Sequence, residues 1–150
     1  MPQVSLSEFA DRMGEFLPMV MKEFGRRVIE IYKGKITLPQ ILIMEFLNKR
    51  GESKMTDIAQ FMGVTTAAMT GIIDRLVKSG YVIRSHEPGD RRIVMIKPTA
   101  KGAGLAKKVH TQRKQMIMNI FGTISEKDRQ DYLRIITQIH DNLVKGSHDA

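Results

Sequence analysis

Residues 63–84 read GVTTAAMTGIIDRLVKSGYVIR, and residues 86–102 read HEPGDRRIVMIKPTAKG. The first stretch carries two helix signals around a three-residue break. Gly63 closes a short helix, roughly Thr56–Met62, because glycine takes the left-handed C-cap without a Cβ penalty. That helix buries Ile58, Ala59 and Met62, and Ser53 and Thr56 compete to cap its start. Val64-Thr65-Thr66 is the connection, and Thr65 can cap a second helix. This second helix runs from about Thr66 to Ser79 with Met69, Ile72, Ile73, Leu76 and Val77 inward, and it stops at Gly80. Two short helices joined by so brief a turn form a helix-turn-helix. Tyr81–His86 and Arg92–Lys97 are strand-like runs bracketing Glu87-Pro88-Gly89-Asp90, hence a β-hairpin. Pro98 ends the ladder, and Thr99 caps a further helix.

Working outward from this centre, Ser5-Leu6-Ser7-Glu8 is a capping box. Leu6, Phe9, Met13, Phe16, Val20, Phe24 and Val28 then recur at helical spacing, so a long amphipathic helix runs to about Tyr32. Pro18 should kink it, and Lys33-Gly34-Lys35 ends it. Thr37-Leu38-Pro39-Gln40 starts another helix, with Leu38, Ile41, Leu42, Met44 and Leu47 apolar and a stop at Arg50-Gly51. Beyond the hairpin, a long helix is basic first (Lys101, Lys107, Lys108, Arg113, Lys114) and then apolar. Ser125 starts a last helix that carries Leu133, Ile136, Ile139 and Leu143. The fold class is mainly α with a small β-hairpin. Three parts are expected: an N-terminal helix over 1–33, a helix-turn-helix with hairpin over 34–100, and C-terminal helices over 101–146. The apolar faces of the terminal helices are best explained by packing against each other and against a second copy of the chain.

Composition narrows the function. The chain has 150 residues, 42% of them hydrophobic, with a net charge of +8 and no cysteine. The apolar runs Ile41–Met44 and Ile93–Ile96 are too short to span a bilayer, and the first residues lack a signal-peptide layout, so cytoplasmic residence is expected. Without cysteine there is no disulfide, thiolate metal site or thiol redox switch. The 11 methionines suit pliable core packing. The positive balance favours a polyanionic partner, and the charge is spread along the chain, so any basic face must come from folding or dimerisation.

Helix, helix, reading helix and hairpin in that order make a winged helix-turn-helix. Over residues 63–84 and 89–102 the chain resembles the MarR-type transcriptional regulators, most sharply from about residue 37 to 105. Asp90-Arg91-Arg92, Asp74-Arg75-Leu76 and Pro98-Thr99 with Lys101-Gly102 carry that resemblance. It implies N- and C-terminal dimerisation helices, a homodimer on a pseudo-palindromic DNA operator, and repression released by a small effector, often aromatic and acidic. The DNA-contacting positions are then Thr65, Thr66, Ala67, Thr70, Gly71, Arg75, Arg91 and Arg92. A B-DNA major groove admits the helix, and the wing can place arginine in the adjacent minor groove. Asp90 either braces a neighbouring arginine, Arg92, or simply closes an Asx-turn. Arg75 suits phosphate or an ion pair, and Lys54 and Lys78 are lesser phosphate candidates.

No Arg, Lys, Asn or Gln stands in the first two outward turns of the reading helix, where family members often carry a long residue in place of Gly71. Readout through thymine methyls, close approach and DNA shape is therefore expected, with the wing arginines supplying discrimination. Arg27, Tyr32 and Met44, with Met19 and Phe24, could line an effector pocket, although the apolar ones also suit the core. His86, His110, His140 and His148 are dispersed, and no HExxH, GxSxG or phosphate-binding glycine loop is present. Neither an enzyme, a metal nor a cofactor is expected. The competing reading is a winged-helix module that binds protein without sequence-specific DNA recognition.

Overall fold

The computed structural model describes residues 4–32 and 36–146. The expected helix stop at Lys33-Gly34-Lys35 and the tail carrying His148 lie outside the described residues. The elements follow in the order α1 (Leu6–Tyr32), α2 (Leu38–Arg50), β1 (Ser53–Lys54), α3 (Met55–Met62), α4 (Thr66–Lys78), β2 (Val82–Glu87), β3 (Asp90–Pro98), α5 (Ala100–Phe121) and α6 (Glu126–Gly146). Two compact units divide the chain inside α5, Met1–His110 and Thr111–Ala150. Among the described residues, no helix is long and apolar enough to cross a membrane.

The start signals act as local chemistry dictates. Thr37 caps α2 with both halves of the capping box, its oxygen accepting from Gln40 N and the Gln40 side chain accepting from Thr37 N. Ser5 accepts from Glu8 N at 3.1 Å, and α1 continues through Pro18. Gly63 closes α3 at φ 65, in the left-handed region. Thr99 caps α5 by accepting from Gly102 N at 3.0 Å, and Ser125 accepts from Asp128 N at 3.1 Å to begin α6.

Three local expectations need correction. The sheet has three strands, in the order β1-β3-β2, because Ser53 and Lys54 pair antiparallel with Ile96 and Met95. Neither Ser53 nor Thr56 caps α3. Lys54 occupies the N-cap without a side-chain bond, while the Ser53 hydroxyl donates to Gly51 O at 3.0 Å. Lastly, α2 has no single apolar face: Leu38 is exposed, whereas Ile43 and Phe46 are buried beside Ile41, Met44 and Leu47. This helix lies between two clusters and packs on both sides. Ile43, Met44, Phe46 and Leu47 join Ile58, Met69, Ile73, Leu76, Val82 and Ile96. Ile41 joins Ile36 and Val109, against which Val28 and Tyr32 of α1 also rest.

The first unit contains one junction with no steric slack. A Cβ on Gly102 would stand 2.0 Å from the Tyr81 carbonyl oxygen and 2.7 Å from Met44 Cε. Backbone oxygen cannot yield as a flexible side chain can, so glycine is required by close approach. Gly102→Ala is expected to lower the unfolding free energy by about 3 kcal/mol, the upper range for overpacking a core. Thermal unfolding monitored by circular dichroism checks this; a melting temperature within a degree of wild type would rule out the close approach.

Candidate nucleic-acid interface

The site is assembled from α4, the hairpin and the start of α3. Thr65 stands at the N-cap of α4, and its oxygen accepts from Ala68 N at 3.1 Å. With Met69, Ile73 and Leu76 fully buried, the opposite side of α4 faces solvent through Thr66, Ala67 and Gly71, with Thr70 half-buried. The Thr70 hydroxyl donates to the Thr66 carbonyl at 2.9 Å. Its proton is committed, so it offers a partner a methyl group and oxygen lone pairs. A Cβ on Gly71 would meet nothing within 4 Å, so no packing demand calls for glycine there.

The hairpin turns tightly because Pro88-Gly89 is a two-residue loop between the paired residues Glu87 and Asp90, with Gly89 at φ 98. Proline followed by a glycine at positive φ suits a type II turn. The Asp90 carboxylate accepts from Arg92 N at 3.0 Å and from Arg92 Nε at 3.2 Å. It therefore closes the turn and holds the arginine at once. Strand alternation puts the neighbouring exposed Arg91 on the other face of the ribbon. The two wing arginines consequently serve opposite sides.

Arg92 shares its side with a cleft of about 450 Å³. Thr66 and Thr70 of α4 line one part of this cleft, Arg84, Arg92 and Val94 of the hairpin another, and Lys54 a third. Sequence reading did not single out Arg84. Alternation from the buried Val82 was the available signal, since it sets residue 84 on the core-side face of β2. Arg84 Nη2 lies 2.5 Å from Asp74 Oδ1 on α4. Arg75, one residue on, is exposed and has no ion pair among the described residues. Of the nominated DNA-contacting residues, Thr66, Thr70 and Arg92 border this cleft; Thr65, Ala67, Gly71, Arg75 and Arg91 lie exposed outside its lining.

The candidate effector residues lie on α1 and α2 in differing surroundings. Met44 is fully buried in the main core, the α5 junction closing over it at Gly102. The Tyr32 hydroxyl is directed at the Val109 carbonyl, 3.5 Å away. Arg27 Nε is 2.9 Å from Glu23 Oε1, on an exposed stretch of α1. The Arg26 guanidinium first, and then that of Arg27, hold the Glu23 carboxyl down to about 2. Arg27 is thus already matched to a carboxylate along its own helix. Of the three, only Met44 belongs to the core.

Comparison with known proteins gives one consistent family. The MarR family model matches residues 36–94. The HTH-type transcriptional regulator YfiV of Bacillus subtilis is 38% identical over 94 residues, which are 60% of this chain and 59% of that protein. The HTH-type transcriptional regulator YhbI of Bacillus subtilis is 30% identical over 111 residues, 74% of this chain and 71% of that protein. Among solved structures, Streptococcus pneumoniae FabT in complex with DNA superposes with a TM-score of 0.79 at 20% identity, covering 91% of this chain and 98% of that one.

The capping geometry gives a direct check on α4. Thr65→Ala leaves Ala68 N without its acceptor and should cost about 1 kcal/mol of stability, while Thr65→Ser should cost little. Urea unfolding curves of the two variants measure the difference; equal midpoints would show that the cap contributes nothing.

Proposed function

Since the chain belongs to the MarR family, we propose that it is a transcriptional regulator that binds a pseudo-palindromic double-stranded DNA operator as a homodimer and represses transcription there. One observation carries this reading: Thr66 and Thr70 of α4 and the wing arginine Arg92 border a single basic cleft that also holds Lys54 and Arg84. A helix inserted in the major groove brings the adjoining hairpin over the backbone, with arginine at the minor groove. In this role Thr65, Arg75 and Arg91 face phosphates or groove edges. Thr66, Ala67, Thr70 and Gly71 approach the bases, and Asp90 holds Arg92 in place.

The terminal helices support the dimer. Neither α1 nor α6 buries a residue, yet Leu6, Phe9, Phe16, Leu133 and Leu143 are all exposed apolar positions on them. Exposed apolar surface of this extent on two long helices calls for a partner, and a second copy satisfies it symmetrically. Half-sites are then about 10 bp apart, one turn of DNA. A small effector acts by shifting the population between dimer geometries that do and do not span both half-sites.

The test is fluorescence anisotropy on the DNA upstream of the gene and on a scrambled duplex, over a salt series. Wild type should prefer the native duplex, with affinity falling steeply in salt. Arg91→Ala/Arg92→Ala should weaken specific binding by about 100-fold or more, since each half of a dimer loses two charged contacts of the size seen for single base or phosphate groups. Absence of binding at low salt would instead leave a protein-binding module.

The small side chains on α4 generate a second expectation. Replacing a contacted thymine by deoxyuridine removes only a methyl group. It should cost about four-fold per site, the transfer value of one buried methyl. No loss at any thymine under the helix would show that α4 does not read methyl groups.

A further inference from the structure

The root of the hairpin is held by fully buried side chains, whereas beyond it only the partly buried Val94 packs against the core. Val82 and Ile96 are buried and belong to the main core. Beyond them the ribbon reaches its tip at Pro88-Gly89 through residues that are exposed or only partly buried. Among the described residues, two side-chain hydrogen bonds tie this projecting part back to the helices and the α2–β1 turn. Ser85 Oγ and Glu52 Oε1 make one, long at 3.4 Å. Arg84 and Asp74 make the other, at 2.5 Å.

The second tie has the better geometry and the more telling position. Arg84 stands opposite the buried Ile96 in the β2–β3 register, where the ribbon leaves the core; beyond it only the partly buried Val94 still packs against that core. Asp74 stands in the third turn of α4, past the residues that face the bases. Their ion pair therefore joins α4 to the hairpin beside the cleft that Arg84 lines together with Thr66, Thr70 and Arg92. We propose that Arg84 and Asp74 are positioning residues: their ion pair sets the separation between α4 and the wing arginines, and thereby the specificity of DNA binding. The inference rests on the DNA-binding function proposed above.

Simple electrostatics makes the opposite forecast, and the two are separable by experiment. Asp74 is a negative charge on the helix that approaches a polyanion, and it offsets the charge of Arg84. If Arg84 served only as a cation for phosphate, removing Asp74 would free it and tighten binding to every duplex. If the pair is a strut, removing Asp74 loosens the wing and weakens specific binding despite the added positive charge. The pair is open to solvent, with side-chain exposures of 34% for Arg84 and 55% for Asp74. A pair of this kind shifts an equilibrium by up to about five-fold. A dimer has two wings, so the effects multiply, and a loss of about ten-fold in specificity is expected.

The experiment compares wild type, Asp74→Ala, Arg84→Ala and the double variant, each on operator and scrambled duplexes at one salt concentration, with thermal melts alongside. Alanine is favourable in an exposed helix, so Asp74→Ala should keep the wild-type melting temperature or raise it. The strut predicts that Asp74→Ala binds scrambled DNA as well as wild type or better, yet loses about ten-fold in its preference for the operator. It also predicts that the double variant is no less specific than Arg84→Ala, because both changes break the same contact. Hydroxyl-radical footprints should retain the centre of each half-site and lose protection at the flanking minor groove. Unchanged or increased operator preference in Asp74→Ala overturns the strut while leaving the DNA-binding function intact. A wild-type protein with no operator preference overturns both.

Discussion

The place where α4, the hairpin and α5 meet is the constraint on which the interface depends. Three successive carbonyls at the end of α4 and the entry to β2 are all taken by the start of α5. Lys101 Nζ donates to Ser79 O at 2.8 Å, Thr99 Oγ1 to Gly80 O at 2.6 Å, and Thr99 N to Tyr81 O at 3.0 Å. Lys101 also lies over the Tyr81 ring, 4.9 Å from its centroid. The last carbonyls of α4 itself are taken by the backbone that follows, Arg75 O by Ser79 N, Leu76 O by Tyr81 N and Val77 O by Gly80 N, so that α5 binds the segment just beyond the helix. The same backbone approach excludes any side chain at Gly102. Through this junction α5 holds the end of the reading helix and the base of the wing together.

From that fixed base the two halves of the interface are tuned by acids that contact no DNA in the proposed role. Asp90 gathers Arg92 at the tip of the wing, and Asp74 gathers Arg84 at its anchored part. An arginine held by a neighbouring carboxylate retains donors for a second acceptor, because the guanidinium carries five N–H groups in a planar fork. Each pair gives up some free positive charge and gains a defined direction. In the proposed role, directed charge suits a helix whose first two outward turns present only small side chains, since discrimination would then fall on groove shape and on where the wing arginines arrive.

Much of this was legible because it depends on local chemistry. Thr37 with Gln40, Gly63, Thr65 and Thr99 announce helix ends through groups that bond within three residues of themselves. The Pro88-Gly89 turn and the alternation around it announce the hairpin for the same reason. Strand β1 could not be read this way, since Ser53 and Lys54 become a strand only by meeting Ile96 and Met95. Helix α2 misled for a related cause: a helix packed on two sides has no single apolar stripe to reveal its orientation. Met44, which suited either a pocket or the core, sits in the core, because an apolar position on a helix does not reveal what covers it.

The amino-acid sequence by itself therefore determined the order of the helices and the hairpin, the helix-turn-helix with its wing, and the small-residue face of α4. These follow from contacts within a few residues and from periodicity. Only the tertiary structure decided that Arg84 answers Asp74 across ten residues and that Ser53 and Lys54 extend the sheet. It also decided that Gly102 must lie against the Tyr81 carbonyl. Each of these joins chain segments whose separation in space is set by packing of the whole unit, and no local pattern encodes that distance.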